Sequence, residues 1–341
     1  MYDFLNTLSG LIWGPITLIL ILGTGIFLSL GLKGFTFTYI LVAFKQIFKK
    51  DEKATDGEIT SFQSLTTALS ATVGTGNIAG VATAIYIGGP GAVFWMWVSA
   101  LFGMATKYAE AFLAIKYREK NANGETVGGP MYYIKNGLSK NYIIFAYLFA
   151  LAGMIAALGI GNGVQVNSVS QVIESEFGIS AFTVGIFIAS LVALVILGGI
   201  KSIGKITSKL VPLMSAIYIL GGLWIIVLNY TEVTYIFNLI TTSAFTSTAA
   251  TGGFAGATVW MALRYGVARG VFSNEAGLGS SPIAHAAANT NNPAKQGMIS
   301  MLEPLIDTLI VCTITAFVIL MSNLWIGEIN GAVLTVASFE Q

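Results

Sequence analysis

Residues 61–86 read SFQSLTTALSATVGTGNIAGVATAIY, a stretch without charged side chains that is long enough to cross a bilayer. Its middle, Val73-Gly74-Thr75-Gly76-Asn77, is a poor helix interior, because each glycine costs about 1 kcal/mol relative to alanine. In lipid, a broken helix is tolerated only where the break lines a protein cavity. The stretch therefore predicts either a broken membrane helix with a binding site at the break, or glycines that only allow close helix packing.

A second stretch repeats the pattern. Asn77-Ile78-Ala79-Gly80 and Asn274-Glu275-Ala276-Gly277 are both Asn-x-Ala-Gly, and each follows a Ser/Thr- and Gly-containing run within an apolar segment. Matching interruptions in two halves of a chain are typical of secondary transporters, whose sites lie between the halves. The second stretch therefore favours the broken-helix interpretation of the first.

Composition indicates a polytopic membrane protein. Of the 341 residues, 55% are hydrophobic and only 10% are charged, whereas soluble domains carry about 25% charged residues. Segments of spanning length predict eight transmembrane helices. They lie at 11–32, 61–86, 92–115, 143–173, 179–200, 207–228, 258–285 and 297–322. The first has no basic region before it and is too long for a signal-peptide core, so it is predicted to be retained.

Positive charge between the spans predicts the orientation. The segments 33–60, 116–142, 201–209 and 286–296 contain fourteen Lys and Arg residues, and the alternate connecting segments contain none. Because Lys and Arg accumulate in cytoplasmic loops, these four segments are predicted to be cytoplasmic and the N terminus to lie outside the cell membrane.

Two charged residues lie within the third predicted span. Lys107 and Glu110 are three residues apart on one helical face, so a mutual ion pair and snorkelling to the inner surface are both compatible with the sequence. His285, at the inner end of the seventh span, is interpreted as a lone surface histidine.

Four further charged residues lie near the second Asn-x-Ala-Gly motif or in the eighth span, where ionisable groups point to structural or coupling roles. Arg269 and Glu275 flank the second break and are predicted to neutralise each other. Glu303 and Asp307 are four residues apart, so the two acids are predicted either to meet a cation (Arg269, Lys107 or an ion) or to keep one of them protonated.

Four long strings carry a family resemblance. They are SATVGTGNIAG (70–80), GGPGAVFWMWVSALFG (88–103), GGPMYYI (128–134) and GVFSNEAG (270–277). These strings resemble the sodium:alanine symporter family, also called the alanine or glycine:cation symporters.

The resemblance implies an all-α polytopic membrane protein of the LeuT type, with two inverted five-helix repeats after one extra N-terminal helix. Residues 1–341 would form a single transporter domain, in which 11–32 is the extra helix and 61–228 the first repeat. Residues 258–322 would supply only the first two helices of the second repeat. Because family members continue for further spans, the chain is expected to be C-terminally truncated.

The resemblance also implies uptake of a small neutral amino acid, alanine or glycine, coupled to Na⁺ by alternating access around the two breaks. No catalysis, no cofactor other than the coupling ion and no nucleic acid partner are expected. The substrate would bind at Thr72, Gly74, Thr75, Gly76, Asn77, Gln165, Gly270, Phe272 and Ser273. Sodium would bind at Ala71, Gly74, Thr75 and Asn77.

Each part of the substrate has an expected partner. Bared N–H groups of residues 74–76 would bind its carboxylate. Gln165 and opened carbonyls near 270–273 would take its ammonium, Phe272 would cap the pocket, and Asn77 and Asn274 would pin the breaks.

Three alternative functions remain compatible with the sequence. One is a proton-coupled permease that uses Glu110, Glu275, Glu303 or Asp307. The others are a truncated fragment without transport activity and a non-transporting receptor or channel.

Overall fold

Helices form nearly all of the regular structure in the computed structural model, which describes Thr7, Gly10 and residues 12–49, 56–246 and 258–341. In chain order they are α1 (Pro15–Gly31), α2 (Phe35–Thr38), α3 (Ile40–Ile47), α4 (Ser61–Thr72), α5 (Gly76–Gly88), α6 (Gly91–Lys116), α7 (Pro130–Gly137), α8 (Lys140–Phe177), α9 (Ala181–Ile196), α10 (Gly199–Leu228), α11 (Val233–Ser243), α12 (Val259–Asn274), α13 (Ser281–Ala286), α14 (Pro293–Ser322) and α15 (Gly331–Glu340). A two-stranded antiparallel hairpin, β1 (Glu119–Lys120) and β2 (Thr126–Val127), lies between α6 and α7.

The predicted spans correspond to helices, with differences in length and continuity. Among the described residues, α6, α8, α10 and α14 are long and apolar enough to cross a membrane, and the bent pair α4–α5 makes a fifth candidate. The predicted spans at α1 and α9 are shorter apolar helices of 17 and 16 residues. The span predicted at 258–285 is not continuous, because α12 ends at Asn274 and α13 begins at Ser281. The fold is thus that of an all-α, multi-pass membrane protein.

Local sequence explains where α4 begins and ends. Thr60 Oγ1 accepts a hydrogen bond from the Gln63 N–H at 3.1 Å, and Gln63 Oε1 accepts one from the Thr60 N–H at 2.9 Å. This reciprocal capping box satisfies two donors that a helix start leaves free. After Thr72 the axis bends by 48° into α5. The interruption predicted at Gly74 and Gly76 is therefore confirmed.

Helix α6 lies at the centre and packs against α1, α5, α11, α12, α13 and α14. Small residues bring α12 close to it. A Cβ atom at Gly266 would lie 2.3 Å from the Ala92 carbonyl oxygen, and one at Gly270 would lie 2.2 Å from Ser99 Oγ. The absence of a side chain at both positions therefore allows this close approach of the two helices.

Helices α8 and α9 lie at the periphery, where they expose most of their apolar side chains. Such helices are stable where apolar surface meets lipid instead of water.

On the predicted cytoplasmic side, the segments 56–60, 117–127 and 286–291 form what we call the loop layer. Ile59 pairs with Ala288 in a parallel bridge, and the Asn289 N–H donates to the Ile59 carbonyl at 2.7 Å. The Arg118 guanidinium donates to the carbonyls of Ala286 and Ala288 at 3.0 and 2.8 Å. The layer joins the start of α4 to the end of α13.

Candidate functional site

The first break, residues 73–75 between α4 and α5, is held by the side chain of Asn77. Its Oδ1 accepts a hydrogen bond from the Gly74 N–H at 2.7 Å, which reaches back across the break. Its Nδ2 donates to Asp307 Oδ1 at 2.8 Å and to the Asp307 carbonyl at 3.0 Å. The break is therefore tied to α14, as expected for unpaired backbone that must be satisfied inside a membrane protein.

The second break is held in the same way by Asn274. Its Oδ1 accepts from the Ala276 N–H at 3.0 Å, which lies just past the end of α12, and its Nδ2 donates to Thr308 Oγ1 at 3.1 Å. The prediction that Asn77 and Asn274 pin the two breaks is confirmed. The break runs from Glu275 to Ser280, and Glu275 itself has a left-handed φ of 55°.

Two adjacent residues of α14 join the breaks. Asp307 accepts a hydrogen bond from the Asn77 amide, and Thr308 Oγ1 accepts one from the Asn274 amide. Thr308 Oγ1 in turn donates to Asp307 Oδ2 at 2.7 Å. Both lie in a π-helical part of α14, Leu305–Cys312, and both are fully buried. A continuous polar network therefore runs from the Gly74 N–H to the Ala276 N–H. Thr308 was not among the predicted site residues, and no motif in the sequence signals its role.

A cavity of about 740 Å³ adjoins the breaks. It is bounded by α4, the first part of α8, the second break and α13. Five of the residues predicted to bind substrate or sodium line it, namely Ala71, Thr72, Gly76, Gln165 and Phe272. The cavity can therefore admit a small polar molecule to one side of the first break.

Gln165 reaches the first break from α8. Its Oε1 accepts a hydrogen bond from Thr75 Oγ1 at 2.7 Å and lies 3.4 Å from the Thr75 backbone nitrogen. The sequence suggested Gln165 as a partner for a substrate ammonium. In the structure its oxygen is already bonded to Thr75.

Gly74 does not have the free backbone predicted for it. Its N–H donates to Asn77 Oδ1, and its carbonyl accepts from the N–H groups of Asn77 and Ile78 at 3.1 and 3.2 Å. The break closes locally through Asn77, so the prediction of bared groups at Gly74 is wrong.

Two predicted substrate residues on α12 lie away from the cavity. The carbonyls near Gly270 and Ser273 were predicted to be opened; Gly270 lies inside α12, whereas Ser273 belongs to its last turn, because the break begins at Glu275. Gly270 packs against α6, and fully buried Ser273 accepts a hydrogen bond from Asn77 Nδ2 at 3.2 Å. Ser273 thus belongs to the network behind the break.

Lys107 pairs with Glu303, one of the two acids for which it was a candidate cation, and not with Glu110 of its own helix. Lys107 Nζ lies 2.9 Å from Glu303 Oε2, and both side chains have 0% exposure. Full burial excludes snorkelling. Glu110, in turn, faces the backbone N–H groups of Gly277 and Gly279 in the second break. Lys107 and Glu110, one turn apart on α6, therefore contact different parts of the protein.

His285 is a buried member of the same cluster, so its interpretation as a surface residue is wrong. Its Nε2 lies 2.5 Å from Glu303 Oε1 and its Nδ1 lies 2.5 Å from Gln296 Nε2. Ser281 and Ser300 also donate to Glu303. The burial arises because α13 packs against both α4 and α6.

The predicted Arg269–Glu275 ion pair does not form among the described residues. Arg269 lies over the Phe272 ring, 5.6 Å from its centroid, and Glu275 accepts a hydrogen bond from Ser280. The left-handed turn at Glu275 directs its side chain towards the cavity that Ser280 also lines. Glu303 does meet Lys107, one of the candidate cations, whereas Asp307 bonds to neutral groups among the described residues.

Comparison with known proteins supplies a family. The sequence profile described as the sodium:alanine symporter family matches residues 1–341. The sodium/alanine symporter AgcS of Methanococcus maripaludis is 51% identical, over 99% of this chain and 75% of its own length.

Two relatives in Bacillus subtilis carry other descriptions. The putative sodium/proton-dependent alanine carrier protein YrbD is 42% identical, over 95% of this chain and 65% of its own length. The probable sodium/glutamine symporter GlnT is 38% identical, over 97% of this chain and 68% of its own length.

Proposed function

Since the chain belongs to the sodium:alanine symporter family, whose members are membrane transporters and not enzymes, we propose that it takes up alanine or glycine together with Na⁺. Transport would follow alternating access around the two breaks, within a single LeuT-type domain. In this proposal α1 is the extra helix, residues 61–228 form the first repeat, and residues 258–322 begin the second.

The observation that carries the proposal is the contact between Gln165 and Thr75. The uncharged Oε1 of Gln165 accepts from the hydroxyl and the N–H of Thr75, and Gln165 and Gly76 both line the cavity. A carboxylate oxygen makes stronger hydrogen bonds with the same donors than a neutral amide does. A substrate carboxylate would therefore displace Gln165, whose freed Oε1 would then accept from the substrate ammonium.

The side chains beside the first break would select for a small substrate. Phe272 lies at one wall and Ala71 and Thr72 at another. In a pocket of this kind one additional methylene changes discrimination by about 1–3 kcal/mol. We propose that these three side chains favour alanine and glycine over larger amino acids.

Sodium would bind beside the first break. Na⁺ prefers oxygen ligands, and Ala71, Thr75 and Asn77 supply carbonyl, hydroxyl and amide oxygens there. Gly74 is the weakest member of the proposed set, because its carbonyl already accepts two N–H groups. Asp307 adds a buried carboxylate that bonds only to neutral groups among the described residues, and a cation would compensate its charge.

The position of the cavity supports an inward-facing state. Residues 67–72 of α4, the first part of α8 and α13 all lie on the predicted cytoplasmic side of the breaks. A cavity there would release substrate to the cytoplasm.

Binding of [³H]alanine to the purified chain, in Na⁺ and in choline, tests the proposal. We expect sodium-dependent binding that is lost in Gly76→Leu, because even a Cβ atom at Gly76 would lie 3.0 Å from Ser273 Cα. Gly185→Leu is the matched control, since a Cβ atom there meets nothing within 4 Å. Equal binding in Gly76→Leu and wild type would contradict the proposed site.

Proton coupling is the second candidate, because Glu110 Oε2 is buried without a hydrogen-bond partner among the described residues. A buried carboxyl with one unpaired oxygen has a place for a proton on that oxygen. YrbD, described as sodium/proton-dependent, is a relative with this dual description. Alanine binding that persists undiminished in choline and responds to pH would favour this candidate over sodium coupling.

A further inference from the structure

Glu275 differs from the other residues around the cavity, because among the described residues that line it Glu275 alone has an ionisable side chain. The remaining lining consists of apolar side chains, glycines and uncharged polar groups. Glu275 is half-buried at the first position of the second break, where its left-handed φ of 55° turns the chain away from the axis of α12. The second break therefore brings a negative charge to a largely apolar wall.

The Glu275 carboxylate has no cation bonded to it within the described part of the chain. Its Oε2 accepts a hydrogen bond from Ser280 Oγ, and its Oε1 accepts none there. Lys107 is near enough to interact with Glu275 electrostatically, but the Lys107 ammonium is fully buried and paired with Glu303 at 2.9 Å. An open acceptor on a charged group is thus left for a cationic molecule that enters the cavity.

The side chains beside this carboxylate favour an organic cation over a metal ion. Phe149 of α8 lies against the second break, since a Cβ atom at Gly279 would be 2.8 Å from its ring, and Leu278 and Ile283 line the same cavity. Metal ions that prefer oxygen, such as Mg²⁺ and Ca²⁺, are held by about six or more oxygen ligands, which this wall does not offer. An ammonium group can donate to one carboxylate and gain a cation–π contact from an aromatic face.

Glu275 lies between the first break and the predicted cytoplasmic side. Helix α12 runs inwards from Val259, and Glu275 follows cavity-lining Phe272 by three residues, or about 4.5 Å along a helix. The cavity of about 740 Å³ falls in the range of about 300–1,000 Å³ that accommodates drug-sized ligands. It therefore has room for a second small molecule, and a molecule that leaves the first break through it would pass Glu275.

We propose that Glu275 binds the ammonium group of an amino acid at an exit site in the cavity, separate from the first break. The identity of the natural ligand rests on the proposed uptake of alanine or glycine, whereas the ammonium site itself needs neither a substrate carboxylate nor Na⁺. Ser280 positions the Glu275 carboxylate. Because that charge repels anions, the exit site selects neutral zwitterions and cations over acidic amino acids.

Fluorine NMR with 2-fluoroethylammonium as the probe tests the proposal, because this cation has an ammonium group but no carboxylate with which to bind the first break. The whole chain is kept in a non-ionic detergent with potassium chloride as the salt. We expect saturable broadening of the probe signal, which methylammonium reverses and acetate does not. The uncharged analogue 2-fluoroethanol should show no broadening that methylammonium reverses.

Two results with the wild-type chain would overturn the proposal, and neither needs a variant to fold. One is the absence of saturable binding of 2-fluoroethylammonium. The other is displacement of the probe by Na⁺ as effectively as by methylammonium, which would identify a metal-ion site instead.

Glu275→Gln assigns the binding to this carboxylate. The variant should bind the probe at least about tenfold more weakly, because the amide oxygen still accepts from Ser280 but the hydrogen bond to a charged group is lost. Glu174→Gln is the matched control, since Glu174 is exposed on α8 and does not line the cavity. It should leave the affinity unchanged. A folded Glu275→Gln that binds the probe as tightly as the wild type would refute the exit site.

Gly76→Leu separates the exit site from the first break. This variant is expected to lose sodium-dependent alanine binding and to keep its affinity for 2-fluoroethylammonium. If the wild type binds the probe but shows no sodium-dependent alanine binding, the proposed function fails while the ammonium site stands. If a folded Gly76→Leu loses both, the probe occupies the first break and the separate exit site is wrong.

Discussion

At the scale of single residues, Asn77 carries much of the candidate site. One amide accepts from the Gly74 N–H and donates to Asp307 and Ser273, so it joins the break to α14 and α12. Asparagine suits this position because its side chain offers an acceptor and two donors over a short reach. Aspartate would instead place a second carboxylate beside Asp307.

We predict that Asn77→Ala lowers the free energy of unfolding by about 2–3 kcal/mol, because it leaves buried polar groups of Gly74 and Asp307 without their partner. Denaturation of the purified protein in mixed micelles measures this loss. Asn229→Ala is the control, since the exposed Asn229 amide bonds only to the Ile225 carbonyl of its own helix. Similar losses in both variants would show that the network at the break contributes nothing to stability.

At the scale of helices, α6 and α12 pack closely against each other. Their contact depends on Gly270, whose missing side chain leaves room for Ser99 Oγ. The sequence places Gly270 in a family string, which suggested a role at the break. The structure gives it a packing role instead.

Gly270→Ala should destabilise the protein by about 1–3 kcal/mol, the usual cost of overpacking. Ser99→Ala in the same chain should restore part of that loss, because it removes the atom that the new methyl group meets. Thermal unfolding of the two single variants and the double variant gives the coupling free energy between positions 99 and 270. Additive losses would contradict direct contact between residues 99 and 270.

At the scale of the whole molecule, Arg118 joins segments that are distant in sequence. Besides its bonds to Ala286 and Ala288, its guanidinium donates to the Thr290 carbonyl at 2.8 Å. Partial burial lowers the pKa of Arg118 from its ordinary value, and nearby Asp56 and Glu58 oppose that shift. The guanidinium remains charged at physiological pH because its ordinary pKa is so high.

Arg118→Gln should loosen the two ends of the loop layer together. We expect amides at 56–60 and 286–291 to exchange at least about tenfold faster, because bonds to a charged donor contribute about 1.5–3 kcal/mol each. Hydrogen exchange with mass spectrometry measures both segments, and α9 serves as an internal reference. Faster exchange in one segment alone would show that the layer does not behave as a unit.

The candidate site was predictable wherever it depends on local backbone chemistry. Gly74 and Gly76 weaken a helix by themselves, and the repeated Asn-x-Ala-Gly motif marks both breaks. Gln165 was found because amide groups are unexpected at membrane depth. Lys107, Glu110, Glu303 and Asp307 were recognised as important because ionisable groups are costly inside a membrane, and Lys107 was one of several candidate cations for the two acids of α14.

The sequence by itself determined that this chain is helical, spans a membrane and is interrupted at two places, because composition and glycine content act over a few residues. Only the tertiary structure decided which groups meet. Lys107 and Glu303 are 196 residues apart, and no periodicity relates them. His285 is buried, and Arg269 and Glu275 are separated, because α13 packs against α4 and α6 after a left-handed turn. Pairing of buried charges depends on how helices cross, and that is a property of the folded chain alone.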